Sequence, residues 1–219
     1  AVTFVTLAFF GLITGGWTLP NFLLASMVLI WSARLGAYLL IRIRKMKKDK
    51  RFDDMRRSFL RFGGFWLIQG LTVWMVMIPS LLFFNNKVEN VNLYSLIGLF
   101  IWIVGLSIES CADLQKFRFK NKESNKGKWI DEGLWSYSRH PNYFGEILLW
   151  VGVYIYTVFS LNALESLIAL IGPLYIAGLI IFVSGVPLLE KSADKRWGTD
   201  PQYQAYKKRS HTLLILPRK

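Results

Sequence analysis

Gly133-Leu134-Trp135-Ser136-Tyr137-Ser138-Arg139-His140-Pro141-Asn142-Tyr143-Phe144-Gly145-Glu146 is the stretch on which the reading of this chain turns. Arginine, histidine, asparagine, two tyrosines and a carboxylate crowd into its last ten residues, and an apolar run from Ile147 to Leu161 follows at once. A dense polar cluster therefore stands where an apolar helix begins. Pro141 suits the first turn of that helix, where its missing N–H is not needed. The same turn offers backbone N–H groups at the positive end of the helix dipole, which favours an anion such as a phosphate. Polar groups at the mouth of a membrane helix usually have a use. The plainer alternative is a wet helix cap at the headgroup level.

Outward from this stretch, the chain is too apolar for an ordinary soluble domain: 53% of its 219 residues are hydrophobic and its mean hydropathy is +0.33. Its net charge of +13 raises the question of nucleic acid, and the placement of the charge answers it. Of 27 Lys and Arg residues, 25 lie in the stretches 42–61, 116–139 and 191–219, which alternate with apolar runs. That is the positive-inside pattern of a membrane protein and not a nucleic-acid face. The spacing predicts an all-α polytopic membrane bundle of six helices: Val2–Gly15, Asn21–Ile41, Phe62–Phe84, Leu93–Asp113, the run after the central motif, and Leu167–Leu189. Both termini are then cytoplasmic, and the short loops 85–90 and 160–165 lie on the far side. The chain opens on Ala1, and a helix before it would make seven. Residues 1–16 lack a basic leader and read as a span rather than a signal peptide. The whole of 1–219 reads as one domain, with the polar motif in the half from about residue 93 onward. Gly172-Pro173 and Gly185-Val186-Pro187 are the expected kinks.

Several polar residues fall inside or beside these helices. Arg34 and Tyr38, four apart, share a face. Arg34 either snorkels to the headgroups or meets a ligand. The basic run Arg42–Arg57 suits anionic lipid or a phosphate-bearing cofactor. Glu109 and Asp113, one turn apart near a basic end, should face protein or a polar cavity; pairing with Lys116 or Lys120 is the structural alternative. Lys116–Lys128 reads as the second basic loop. Glu190 opens a polar tail that carries Tyr203, Tyr206 and Lys207-Lys208-Arg209. Neither a dinucleotide-binding glycine motif nor a P-loop is present. Cys111 is the single cysteine, and His140 and His211 are the only histidines, so the sequence offers no convincing metal site. A cationic basin under apolar helices remains. It suits an anionic cofactor and a lipophilic substrate.

The Gly133–Glu146 motif resembles the signature of the steroid 5-alpha-reductase-like membrane proteins, especially their bacterial members of unassigned substrate; sterol reductases share its Arg-His-x-Asn-Tyr core. Arg34-Leu-Gly-Ala-Tyr38, Asp49-Lys-Arg-Phe52 and the Tyr203-Gln-Ala-Tyr206 tail are similar too. The resemblance implies a helical enzyme of the bacterial inner membrane that uses NADPH to reduce a carbon–carbon double bond of a lipophilic small molecule. It implies that Asp113 and Lys120 hold the cofactor, with Lys where the family has Arg and with Lys116 beside them. Asn142 and Glu146, Arg139 and His140, and Tyr203, Tyr206 and Arg209 are the further cofactor contacts. Tyr38, Glu109 and Tyr143 are the candidate acids that polarise or protonate the substrate, since a desolvated carboxyl or phenol keeps its proton. Isoprenylcysteine carboxyl methyltransferases also carry Arg-His-Pro-x-Tyr before a membrane helix and bind S-adenosylmethionine. Their tail has a Glu-Glu pair, whereas Glu190 here precedes Lys191. A non-catalytic lipid-binding membrane protein is the third reading.

Overall fold

The computed structural model describes residues 1–46 and 58–218. Most of the first basic loop, including Asp49–Phe52, lies outside the described residues. Among those described there is no β-strand, and nine α-helices carry the chain. They are α1 (Val2–Gly15), α2 (Leu19–Met46), α3 (Phe59–Asn85), α4 (Leu93–Asn121), α5 (Pro141–Val158), α6 (Ala163–Ala169), α7 (Ile171–Gly178), α8 (Val186–Trp197) and α9 (Pro201–Arg209). Four stretches among them are long and apolar enough to cross a membrane: Leu19–Ile41, Phe62–Asn85, Leu93–Asn121 and Ala163–Trp197. In a bilayer the backbone must satisfy its own polar groups, and helices do so within one segment.

The main departure from the sequence reading is α4. It runs to Asn121, two turns past Asp113, so Lys116 and Lys120 stand on a helix and not in a loop. Leu114 through Lys120 contains no glycine, proline or β-branched residue, and Arg118 and Lys120 complement the negative end of the helix dipole. The last expected helix is also broken. α6 and α7 are separated at Leu170, a π-helical turn covers Leu179–Val183, and α8 starts beyond Gly185.

The chain forms two compact units, Ala1–Leu99 with Val153–Tyr175, and Phe100–Gly152 with Ile176–Lys219. In the first, α1 and α2 join in a tight turn at Gly16, whose φ of 87° suits glycine. Asn21, fully buried, donates to the Gly15 and Gly16 carbonyls at 2.9 and 3.0 Å, satisfying the end of α1. Gly11 and Gly15 let α1 lie against Phe84 on α3. The buried Tyr156 packs on Phe83 and donates to the Pro20 carbonyl at 2.9 Å. In the second unit, α4 crosses α5 at two glycines. A Cβ on Gly105 would stand 2.5 Å from the Leu149 nitrogen, and one on Gly145 2.5 Å from the Glu109 nitrogen. Small residues at this crossing bring the two backbones together, as in membrane helix pairs generally.

Candidate functional site

The second unit builds a cleft of about 180 Å³ where the end of α4, the Gly133–Glu146 motif, α8 and α9 meet. α4 supplies its cations by helical spacing: Glu109, Asp113, Lys116 and Lys120 follow at intervals of four, three and four, one stripe of the helix. Lys116 and Lys120 line the cleft, and Lys128 and Arg196 add two further cations. Glu109 and Asp113, higher on the stripe, are buried.

The motif is anchored before it reaches the cleft. Gly133 has φ of 59°, a left-handed turn that opens a 3-10 helix, and the Leu134 N–H donates to Gln115 Oε1 at 3.0 Å. Trp135 then inserts beneath, packed with Ala112, Phe119, Leu134 and Ile130, and its indole N–H donates to the Ala112 carbonyl at 3.0 Å. Lys116 Nζ lies 4.3 Å from the Trp135 ring, a cation–π contact at the cleft floor. Trp129, Trp197 and Tyr203 form an aromatic wall, with Trp129 centroids 6.0 and 5.3 Å from the other two. The Trp197 indole is fixed by the Gly127 carbonyl at 2.7 Å.

At the centre of the polar side is Glu190, the residue whose part in the site the sequence reading missed. Its carboxylate accepts from Arg139 Nε at 3.1 and 3.2 Å and pairs with His140 Nε2 at 2.8 Å and Lys207 Nζ at 3.4 Å. A carboxylate only accepts, so the neutral His140 carries its proton on Nε2. Burial pushes the His140 pKa down, as do Lys116 and Arg139, against the opposing pull of Glu190. Burial works against the Lys207 charge, yet its hydrogen bonds and charge pairing with Asp194 and Glu190 win and raise its pKa. Tyr206, buried, donates to the Trp135 carbonyl at 2.7 Å, and burial raises its pKa. No periodicity links position 190 to position 139. The one signal was a lone carboxylate directly after an apolar run in a strongly basic chain.

The family model described as "Protein of unknown function (DUF1295)" matches residues 1–210. The chain belongs to this family. No curated protein and no solved structure matches it. Within this family member, Lys116, Lys120, Arg139, His140, Tyr203 and Tyr206 come together at the cleft. Arg209 does not line it; it pairs with Asp131 at 3.1 Å and lies over the Tyr206 ring. Asn142 and Glu146, four apart, share one face at the start of α5 and are half-buried. Tyr143 stacks on His140, centroids 5.7 Å apart. Tyr38 stands on α2, in the first unit. Trp129, Trp197, Lys128 and Arg196 were not singled out by the sequence. Among the described residues no cluster of His, Cys, Asp and Glu could hold a metal ion.

Proposed function

We propose that this protein is an NADPH-dependent membrane reductase that delivers a hydride to a carbon–carbon double bond of a lipophilic substrate of steroid, sterol or isoprenoid type. The observation that carries the reading is the cleft, where five cations and an aromatic wall line one small volume beside the motif that prompted it. This donor set fits a phosphate-bearing dinucleotide: Lys and Arg pair with phosphate oxygens, and indole and phenol rings stack on a heterocycle. At about 180 Å³ the cleft suits one end of such a cofactor, since pockets that enclose drug-sized ligands start at roughly 300 Å³. Lys116, Lys120, Lys128 and Arg196 would hold its phosphates, and Asn142 and Glu146 its polar groups near α5. The bound cofactor supplies the hydride.

The chain's own task is then to exclude water, orient the alkene and deliver a proton. Glu109 and Tyr143 are the nearest candidate acids in sequence to the cofactor residues, and Tyr38 is the candidate on α2. Fixed donors in a dry pocket stabilise developing charge without solvent reorganisation. The reading includes six spans, with both termini and the cleft on the cytoplasmic side of a bacterial inner membrane, because the basic stretches alternate with the short loops. Membrane lipid is the surrounding partner, and nucleic acid has no part.

Ligand-dependent thermal stability of the detergent-solubilised protein tests the reading. NADPH should stabilise it more than NADH, because the extra phosphate meets the cations. Asn142→Ala and Glu146→Ala should each weaken NADPH binding by about 1–3 kcal/mol while leaving the unliganded melting temperature within a few degrees. Stabilisation by S-adenosylmethionine instead would move the protein to the methyltransferase reading. Stabilisation by neither would favour a non-catalytic lipid-binding role.

A further inference from the structure

We propose that Arg139 is a positioning residue: it locks the C-terminal segment 201–213 onto the start of α5, and so builds one wall of the cleft, without itself touching the ligand. The proposal takes the identity of the ligand from the function proposed above; the lock itself stands on the contacts of Arg139. The guanidinium Nε donates to both Glu190 oxygens, at 3.1 and 3.2 Å. Nη1 donates to the Lys207 and Ser210 carbonyls, both at 3.1 Å, and Nη2 to Thr212 Oγ1 at 2.8 Å. Four of the five N–H groups are thus directed at Glu190 or the segment. The Arg139 backbone joins in: its N–H donates to the His211 carbonyl at 2.8 Å, and the His211 N–H to the Tyr137 carbonyl at 2.8 Å. Ser138 Oγ donates to the Leu213 carbonyl at 2.8 Å.

An incoming phosphate would find only one guanidinium N–H not directed at these partners, and would meet the Glu190 carboxylate as well. Anion binding therefore falls to the other cations of the cleft. What Arg139 delivers is Tyr203 and Tyr206, which belong to the clamped segment and line the cleft. A ligand resting on that wall binds only the docked form. Its apparent affinity then scales with the docked fraction, and by linkage its binding tightens the dock. Lysine is a poor substitute, because only the planar fork can serve a carboxylate and two carbonyls together.

Trypsin reports the dock directly, since Lys207, Lys208 and Arg209 lie within the clamped segment. Full-length protein in detergent is digested briefly and release of the C-terminal peptide is read by mass spectrometry, with NADPH affinity measured in parallel. Arg139→Ala should release the peptide about tenfold faster and weaken NADPH binding by about tenfold, and saturating NADPH should slow the release. Arg139→Lys should recover part of both. Glu190→Gln, a milder change, should move both in the same direction and serves where Arg139→Ala does not accumulate. Weakened NADPH binding with wild-type release would mean that Arg139 meets the ligand itself, and overturns the proposal. Faster release with unchanged affinity overturns it too. Should wild-type protein bind no NADPH, the cofactor reading falls, and the release rates alone then uphold or overturn the lock.

Discussion

His140 shows how one residue's surroundings set its chemistry. It is 5% exposed, hydrogen-bonded to Glu190 and stacked on Tyr143, with Lys116 and Arg139 as neighbouring cations. Its folded pKa lies below the ordinary 6.5, so the folded protein keeps it neutral where the unfolded chain binds a proton. The stability this contributes is present above pH 6.5 and is lost as pH falls from there through the folded pKa. Melting temperature measured between pH 7.5 and 5.5 should fall for wild type and fall less steeply for His140→Asn; parallel slopes would refute it. At this scale the sequence was partly legible. The motif drew attention to Arg139 and His140 because polar groups beside an apolar run are costly without a purpose. Their shared partner was hidden, because Glu190 lies about fifty residues away and only the tertiary fold brings it near. The aromatic wall was hidden for the same reason: a tryptophan at 129 or 197 reads as an interface anchor until its neighbours are known.

At the scale of elements, two features set the site. α4 continues past Asp113 and so carries Lys116 and Lys120 in register with Glu109 and Asp113. A reader of charge alone ends the helix where the basic run begins, although lysine and arginine are good helix formers and favoured near a C-terminus. The break before α8 was legible in Gly185-Val186-Pro187, because proline at the start of a helix and glycine just before it punctuate the chain. The π-helical turn preceding it was not, since Leu179–Val183 contains neither glycine nor proline to mark it. The crossing of α4 and α5 gives the prediction that belongs here. With backbone atoms of Glu109 within 3 Å of a Cβ at Gly145, no side-chain rotation relieves the clash. Gly145→Val should force the helices apart and destabilise the protein by roughly 1–3 kcal/mol or more, lowering its melting temperature in detergent. Gly63→Val, with open space around its position, is the control and should cost far less. Equal melting temperatures for the two variants would show that the crossing is not close-packed.

For the whole molecule, the charge pattern constrains what the helices alone do not. Among the described residues, four stretches qualify as membrane-crossing by length and hydropathy. α1 has 14 residues and α5 has 18, and at 1.5 Å per residue they reach about 21 and 27 Å, against a hydrocarbon core of about 30 Å. Length therefore leaves the count of spans open, while the alternation of basic stretches with the loops at 85–90 and 160–165 requires α5 to cross if the positive-inside rule holds. Labelling from one side decides between them. Cys111 is exposed and is first replaced by Ser. Glu89→Cys then places a thiol in the loop before α4, avoiding the left-handed Lys87, and Lys126→Cys places one in the loop after it. An impermeant thiol reagent applied to intact cells should label the first and leave the second untouched until the membrane is opened. A third thiol, Asn162→Cys at the cap of α6, should label like Glu89→Cys if α5 crosses, because two crossings, α4 and α5, separate these loops. Labelling of Asn162→Cys only after the membrane is opened, with the other two as expected, would mean that α5 enters the bilayer without crossing. Labelling of Lys126→Cys in intact cells would put the cleft on the outer face, away from the reduced cofactor pool on which the proposed reaction depends.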